Sequence, residues 1–343
     1  MPVRSFRRAL LRTTAVLAGA VAGLVVLAAP ASADPAEPTN YRSEVTYLEP
    51  ATDAVRVDVV GGDSFLRITV ESGHEVVILG YSGEPYVRIH PDGTVEQNER
   101  SPAVQLNTDR YARTGSQDDL TADEIRAMEP DWRRVGSDGT FVWHDHNSHW
   151  MSTTLPPQLQ GRQSGVVFDD WIVPIEVDGV STEVHGRLVR DAPPSVVPWL
   201  VVAAAFGAIV VLVALRADPL VVVGVALTLC AVAALAVSAA GQLDLPSQAG
   251  RQYHLVIVPA IAAIAGLVGL VLRRVPSGFA LVAGAALTLP IWIFGMFGVL
   301  THAHAPTDVA EGLQRAVVAM AIGAVGAALI VAALRRSPPL RTR

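Results

Sequence analysis

The 343-residue chain has one cysteine and no lysine. The single thiol, Cys230, lies in an apolar run, which excludes disulfides within the chain, zinc ribbons and dithiol redox chemistry. Aromatic residues are scarce, at 6%, and charged residues make up only 17%, with a mean hydropathy of +0.38. That is too apolar for a soluble protein of this length, and the shortage of charge is uneven. Residues 196–335 are almost wholly Ala, Val, Leu, Ile and Gly, whereas residues 34–195 carry 28 Asp and Glu against 13 Arg. Two regions built for two solvents are implied. A balance of −15 over residues 34–195 repels nucleic acid and anionic lipid headgroups and attracts cations, so no nucleic-acid partner is expected. Catalytic signatures are missing too: there is no Gly-x-Ser-x-Gly, His-Glu-x-x-His, P-loop or dinucleotide fingerprint. Lacking disulfides, the polar region must fold by its core alone, for which about 160 residues suffice.

The chain opens on the pattern of a signal peptide. Arg4, Arg7, Arg8 and Arg12 precede an apolar run from Ala15 to Ala29, and Ala31-Ser32-Ala33 is a small-x-small cleavage site before Asp34. Retention of this segment as a sixth span is the alternative. Five apolar runs follow, at about 196–215, 220–239, 254–272, 278–299 and 316–334, each long enough to cross a bilayer. Arg216, Arg273, Arg274, Arg335, Arg336, Arg341 and Arg343 fall on one side of these runs, and only Arg251 and the border residue Arg315 on the other. The positive-inside rule makes the Arg-rich side cytoplasmic, in agreement with export of the polar region. The expected layout is a signal peptide at 1–33, an extracytoplasmic domain at 34–192, a five-helix transmembrane domain at 193–336 and a cytoplasmic tail at 337–343, in the plasma membrane. No Asp, Glu, Lys or Arg lies inside the five runs, which argues against a transporter or pump. Pro290 is placed to kink the fourth. Small residues at four-residue spacing, Ala319-Gly323-Ala327 and Ala265-Gly269, suit an anchor that bundles on itself or on a partner protein.

The polar region alternates like half-buried strands at 55–59, 65–70, 75–79 and 85–89, with turn chemistry at Gly61-Gly62-Asp63 and Pro91-Asp92-Gly93. Thr121 with Glu124 reads as a capping box opening a short helix bounded by Pro130. Strands resume at 140–146, and 171–177 with 181–189 form a hairpin turning at Asp178-Gly179. The expected fold is an all-β, Ig-like antiparallel β-sandwich followed by an all-α bundle of five transmembrane helices.

Trp143-His144-Asp145-His146-Asn147-Ser148-His149-Trp150-Met151 places three of the chain's nine histidines within six positions. Imidazole is the commonest protein ligand for transition metals. A two-residue turn at Asn147-Ser148 would make residues 141–152 a hairpin, with His146 opposite His149, Asp145 opposite Trp150 and His144 opposite Met151. Period-two alternation then sets His144, His146, His149 and Met151 on one face, with opposed Cβ atoms about 4.5–5.5 Å apart. Three imidazoles and a thioether outside the cell favour copper over zinc. A zinc hydrolase would want Asp145 beside an imidazole, and the alternation puts it on the other face. The expected function is a membrane-anchored extracytoplasmic domain binding a transition metal for sensing, buffering or delivery. The alternative is a structural or interaction protein of the envelope, in which the His-rich hairpin packs internally, docks a partner or responds to pH.

Secondary candidates are His302 and His304 in the outer loop between the fourth and fifth runs, and Glu84, Arg88 and His90 in the polar-aromatic stretch 81–90. Tyr-Ser-Gly-Glu-Pro-Tyr at 81–86 together with Trp-His-Asp-His-x-x-His-Trp-Met at 143–151 resembles a group of uncharacterised actinobacterial membrane proteins. The resemblance covers residues 41–190 by motif and the rest by layout. It implies an exported β-rich domain followed by several spans, and it implies no activity. The absence of lysine and the Ala, Val and Arg richness suit such a source.

Overall fold

The computed structural model describes residues 36–111, 120–245 and 251–336. The expected signal peptide at 1–33, with Asp34, and the expected tail at 337–343 lie outside the described residues. Among the described residues, ten strands form two antiparallel sheets: β1 (Tyr41–Glu49), β2 (Val55–Val60), β3 (Phe65–Val70), β4 (Val76–Leu79), β5 (Pro85–Ile89), β6 (Val95–Asn98), β7 (Trp132–Gly136), β8 (Thr140–Trp143), β9 (Gly165–Val177) and β10 (Val180–Arg190). The large sheet runs β1-β10-β9-β4-β5-β6-β7 and the small one β2-β3-β8. The two share one core. Leu66, Ile68, Phe141 and Trp143 of the small sheet pack with Val76, Ile78, Val87, Ile89, Val173, Ile175, Val184 and Leu188 of the large one. This is an antiparallel sandwich, with a seven-and-three division of strands where an immunoglobulin constant domain has four and three.

Turn chemistry accounts for the central hairpin. Asp178 (φ 50°) and Gly179 (φ 77°) are both left-handed, as a tight hairpin turn requires, and they register Val180 against Val177. Inward Val173, Ile175 and Val177 alternate with outward Ile172, Pro174 and Glu176. β9 starts six residues before the expected strand. Register shifts opposite Gly186 and Leu188 break its period ahead of Trp171, hiding the first half from an alternation test. Strands β1, β6 and β7 escape the same test. β1 is mostly polar and half-buried, and β6 buries Gln97 and Asn98, whose amides donate to the Tyr86 hydroxyl (3.3 Å) and the Pro85 carbonyl (2.8 Å).

Helices α1 (Ala103–Leu106) and α2 (Ala122–Ala127) interrupt the sandwich, and both reciprocal bonds of the Thr121–Glu124 capping box are present at α2. Then come α3 (Val197–Ala214), α4 (Pro219–Asp244), α5 (His254–Val271), α6 (Pro276–Met296), the single turn α7 (Gly298–Thr301) and α8 (Glu311–Arg336). Helices α3, α4, α5, α6 and α8 are each long and apolar enough to cross a membrane, and the chain is a multi-pass membrane protein. Small residues set the close approaches. A Cβ on Gly207 of α3 would lie 2.9 Å from the Gly323 carbonyl oxygen of α8, and one on Gly323 2.4 Å from that of Ala203. Within the bundle, the Trp292 indole donates to Ser238 Oγ at 2.8 Å.

The sandwich is fastened to one end of the bundle. Thr39 and His304 form a two-bond β-bridge (3.0 and 2.8 Å), and the Ala303 amide donates to Asn40 Oδ1 (2.9 Å). Leu245, just beyond α4, packs with Ala36, Val60 and Phe65. Arg315, one of the two basic residues on the Arg-poor side, is spent on this junction. Its guanidinium donates to the carbonyls of Val299, His302 and Ala303 (3.0, 3.0 and 2.7 Å) and to Glu311 (3.0 Å).

Candidate metal centre

The centre begins where β8 ends. β8 pairs only with β3, from Thr69–Thr140 to Leu66–Trp143, and beyond Trp143 the backbone leaves the sheet. Asp145 closes the next turn. Its Oδ1 accepts the Asn147 amide (2.9 Å), its Oδ2 accepts the Trp143 indole (2.9 Å), and its carbonyl accepts both the Ser148 amide (3.1 Å) and hydroxyl (2.9 Å). An aspartate that captures nearby amides competes with ladder pairing. The hairpin expected at 147–148 therefore does not form, and no strand carries Met151 back across from His144. Burial holds the Asp145 carboxyl above its usual range, while the Trp143 indole and the Asn147 amide pull it down.

The turn gathers the imidazoles by another route. The His149 ring centroid lies 5.4 Å from His146 and 6.3 Å from His144, each pair nearly perpendicular. His144 packs on Phe65 at 4.2 Å and is buried, and His149 is wholly buried. His146 is half-buried and stacks on Tyr81 at 5.5 Å, and its Nε2 meets the Asp109 carbonyl at 3.0 Å. A carbonyl only accepts, so that contact puts the proton on Nε2 and leaves Nδ1 its lone pair. Neither nitrogen of His149 makes a hydrogen bond, although the Trp150 backbone lies close enough to the ring to act against its depressed pKa. A neutral imidazole carries one donor and one acceptor, so both are buried unmade, at a cost of about 1–3 kcal/mol.

Burial pushes His149 well below its ordinary value, and Arg110, His144 and His146 push the same way. Burial also lowers His146, against the Asp109 carbonyl and the Asp145 charge. Both rings are neutral near pH 7. Arg110 forms a buried ion pair with Asp63. Burial raises the Asp63 carboxyl although Arg110 pulls it down. Among the described residues, no three His, Cys, Asp or Glu side chains stand in a geometry ready to hold an ion.

The two sequence motifs at 81–86 and 143–151 meet here. The His146 amide donates to the Tyr81 hydroxyl (3.0 Å), which donates on to Asn107 Oδ1 (2.5 Å), and burial pushes the Tyr81 phenol far up. Asp109 and Arg110 went unnoticed in the sequence, where Asp63 reads only as a turn residue. Only Tyr81, inside the polar-aromatic stretch, left a signal there.

The secondary candidates scatter. Glu84 and Arg88 do not pair. Glu84 is buried, accepting the Ser82 amide (3.0 Å) and the Ser101 hydroxyl (2.5 Å) within the β4–β5 turn. Arg88 binds Glu96 (2.7 Å) and lies 4.6 Å above the Trp132 ring, and His90 shares Glu96 (2.7 Å). His304 is held between Asp191 (2.9 Å) and Glu311 (3.2 Å). His302 donates its Nδ1–H to the Gly298 carbonyl (3.0 Å) and, with His144, lines a cavity of about 540 Å³ between the sandwich and the loop preceding α8.

Comparison with protein-family models, with curated proteins and with solved structures finds no match to this chain.

Proposed function

We propose that this multi-pass membrane protein carries its β domain outside the cytoplasm and that the domain binds a late first-row transition metal, for sensing, buffering or delivery, through His149, His146 and His144. The observation that carries the reading is His149, a neutral imidazole wholly buried with both nitrogens unpartnered, flanked by two more imidazoles. A buried polar group left unsatisfied calls for an ion or a water. With metal–nitrogen distances of about 2.0 Å, two rings on one ion have centroids about 5–6 Å apart. The His146–His149 separation of 5.4 Å fits that spacing and the His144–His149 separation of 6.3 Å lies just beyond it, so loading needs His144 to move closer. Neutral rings are the ligating form. The Asp109 carbonyl on His146 is the kind of outer partner that orients a metal-binding imidazole. Asp63 offsets the Arg110 charge, which would otherwise oppose a cation. Copper stays ahead of zinc by the intrinsic affinity order alone, since Met151 is no longer placed to favour it.

A second reading, a metal-free element of an envelope interaction or structural protein, draws on the packing of His144 against Phe65 and of His146 against Tyr81. One experiment separates the two. Full-length protein without a polyhistidine tag, in detergent, is titrated with Cu(II) and Zn(II) beside a His144→Ala/His146→Ala double variant and His149→Leu. About one tightly held ion in the parent, lost in both variants, supports the metal reading. Equal, weak uptake by all three removes it, and stability changes without metal dependence then favour the second reading.

A further inference from the structure

The cavity between the sandwich and the bundle has a chemistry of its own. Its wall includes Tyr41, Arg110, Tyr111 and Arg190 from the sandwich and His302 from the loop after α7. Tyr41 and Arg190 are direct cross-strand partners on β1 and β10, so the hydroxyl and the guanidinium stand side by side. Among the described residues, no carboxylate forms an ion pair with Arg190. It donates one N–H to the Gln163 carbonyl, and a guanidinium has five to give. Burial holds the Tyr41 phenol above its ordinary value although the Arg190 charge pulls it down, so the hydroxyl keeps its proton. Arg110 adds a second guanidinium, shared with Asp63, and the hydroxyls of Ser152 and Thr153 complete a donor-rich wall. The lining also holds acceptors: His302 donates its Nδ1–H to the Gly298 carbonyl and keeps Nε2 as an acceptor, and Glu37 adds an exposed carboxylate.

A lining that combines guanidinium and hydroxyl donors with an imidazole and a carboxylate acceptor fits a ligand that is anionic at one end and bears hydroxyls at the other. Paired guanidiniums with hydroxyl donors match the several oxygens of a phosphate. The cavity lies at His302, just past the ends of α6 and α7 and so beside the end of a helix long and apolar enough to cross a membrane. We propose that it binds a polyol phosphate, the chemistry shared by a glycerophospholipid headgroup and a free glycerol phosphate. The acidity of residues 34–195 does not prevent this, because charges beyond about 8 Å are screened at physiological salt and the lining brings the Arg110 and Arg190 guanidiniums against the single carboxylate of Glu37.

The test uses the full chain without added metal. It is reconstituted in nanodiscs of phosphatidylglycerol or phosphatidylcholine, and separately titrated in detergent with glycerol 3-phosphate, with thermal unfolding as the readout. The proposal expects a melting temperature several degrees higher in phosphatidylglycerol, or a saturable rise with glycerol 3-phosphate. The first result assigns a lipid source and the second a soluble one. Arg190→Gln should abolish the response, Tyr41→Phe should weaken it about tenfold, and Arg187→Gln, whose parent residue pairs with Glu44 outside the cavity, should leave it intact. Should Arg190→Gln fail to fold, Tyr41→Phe and the parent titration still decide. No response in the parent to either probe, or an equal response in parent and Arg190→Gln, overturns the proposal. His146→Ala does not touch the cavity wall, so its effect on metal and its lack of effect on phosphate keep the two sites distinguishable.

Discussion

Replacing His149 with leucine tests the centre most directly, because the two readings of the ring nitrogens predict opposite signs. The parent ring is wholly buried with one donor and one acceptor unmade, a burden of about 1–3 kcal/mol. Leucine has a similar volume and nothing to satisfy, and its repacking costs less than about 1.5 kcal/mol. His149→Leu should therefore stabilise the metal-free protein by about 1 kcal/mol at pH 7.5, a rise of about 2–4 °C for a domain of this size. The pH dependence should change as well. Burial depresses the folded-state pKa of His149, so as pH falls the unfolded chain takes the proton first. The ring's contribution is complete above the unfolded value of about 6.5 and is lost as pH drops towards the folded value, by at most about 1.4 kcal/mol per unit. The variant should lose that slope, retaining the smaller share owed to His146. Asp63 and Asp145 act in the opposite sense at lower pH. Burial raises their carboxyls, so the folded chain takes those protons first and recovers some stability. The assay is thermal unfolding by tryptophan fluorescence at pH 7.5 and 5.5 after chelation, then with Cu(II). At a hundred times its dissociation constant, copper should add about 2.7 kcal/mol to the parent and nothing to the variant. A variant less stable than the parent at pH 7.5, with an unchanged pH slope, would refute the reasoning, since the nitrogens would then be satisfied in solution.

Asp145→Ala strands the buried Trp143 indole and the Asn147 amide and should cost about 2–4 kcal/mol with loss of metal uptake, whereas Asp145→Asn, which keeps an acceptor, should cost less; chemical denaturation measures both. Gly186→Ala would place a Cβ 2.0 Å from Trp171 Cζ2 and 2.5 Å from the Glu44 carbonyl oxygen, so it should cost about 3 kcal/mol and sharply lower the yield of folded protein. The expected orientation is checked by single cysteines in a Cys230→Ala background: Ser181→Cys should react with a membrane-impermeant maleimide on intact cells, and Ala217→Cys, between α3 and α4, only after permeabilisation. The reverse pattern would invert the topology.

What could be read from the residues depended on the range of the interaction involved. The five apolar helices and the Thr121–Glu124 cap were legible because a bilayer and a capping box impose rules on contiguous residues. So were the turns at Asp178-Gly179 and Pro91-Asp92-Gly93, where left-handed backbone is cheap for few residues. The strands β1, β6 and β7 were not, because their stability comes from neighbours and from buried amides rather than from an apolar period.

The histidine cluster divides along the same line. Composition and order alone establish two solvents, five apolar runs of membrane-spanning length after residue 195 and an unusual crowding of imidazole, since these depend only on which residues follow which. Folding decides that Asp145 takes the turn amides and so prevents a hairpin, that Tyr81 and Asp109 come from distant loops to orient His146, and that His149 is sealed from water. Whether a side chain is hydrated or orphaned is settled by atoms remote in sequence, and local pattern carries no record of them.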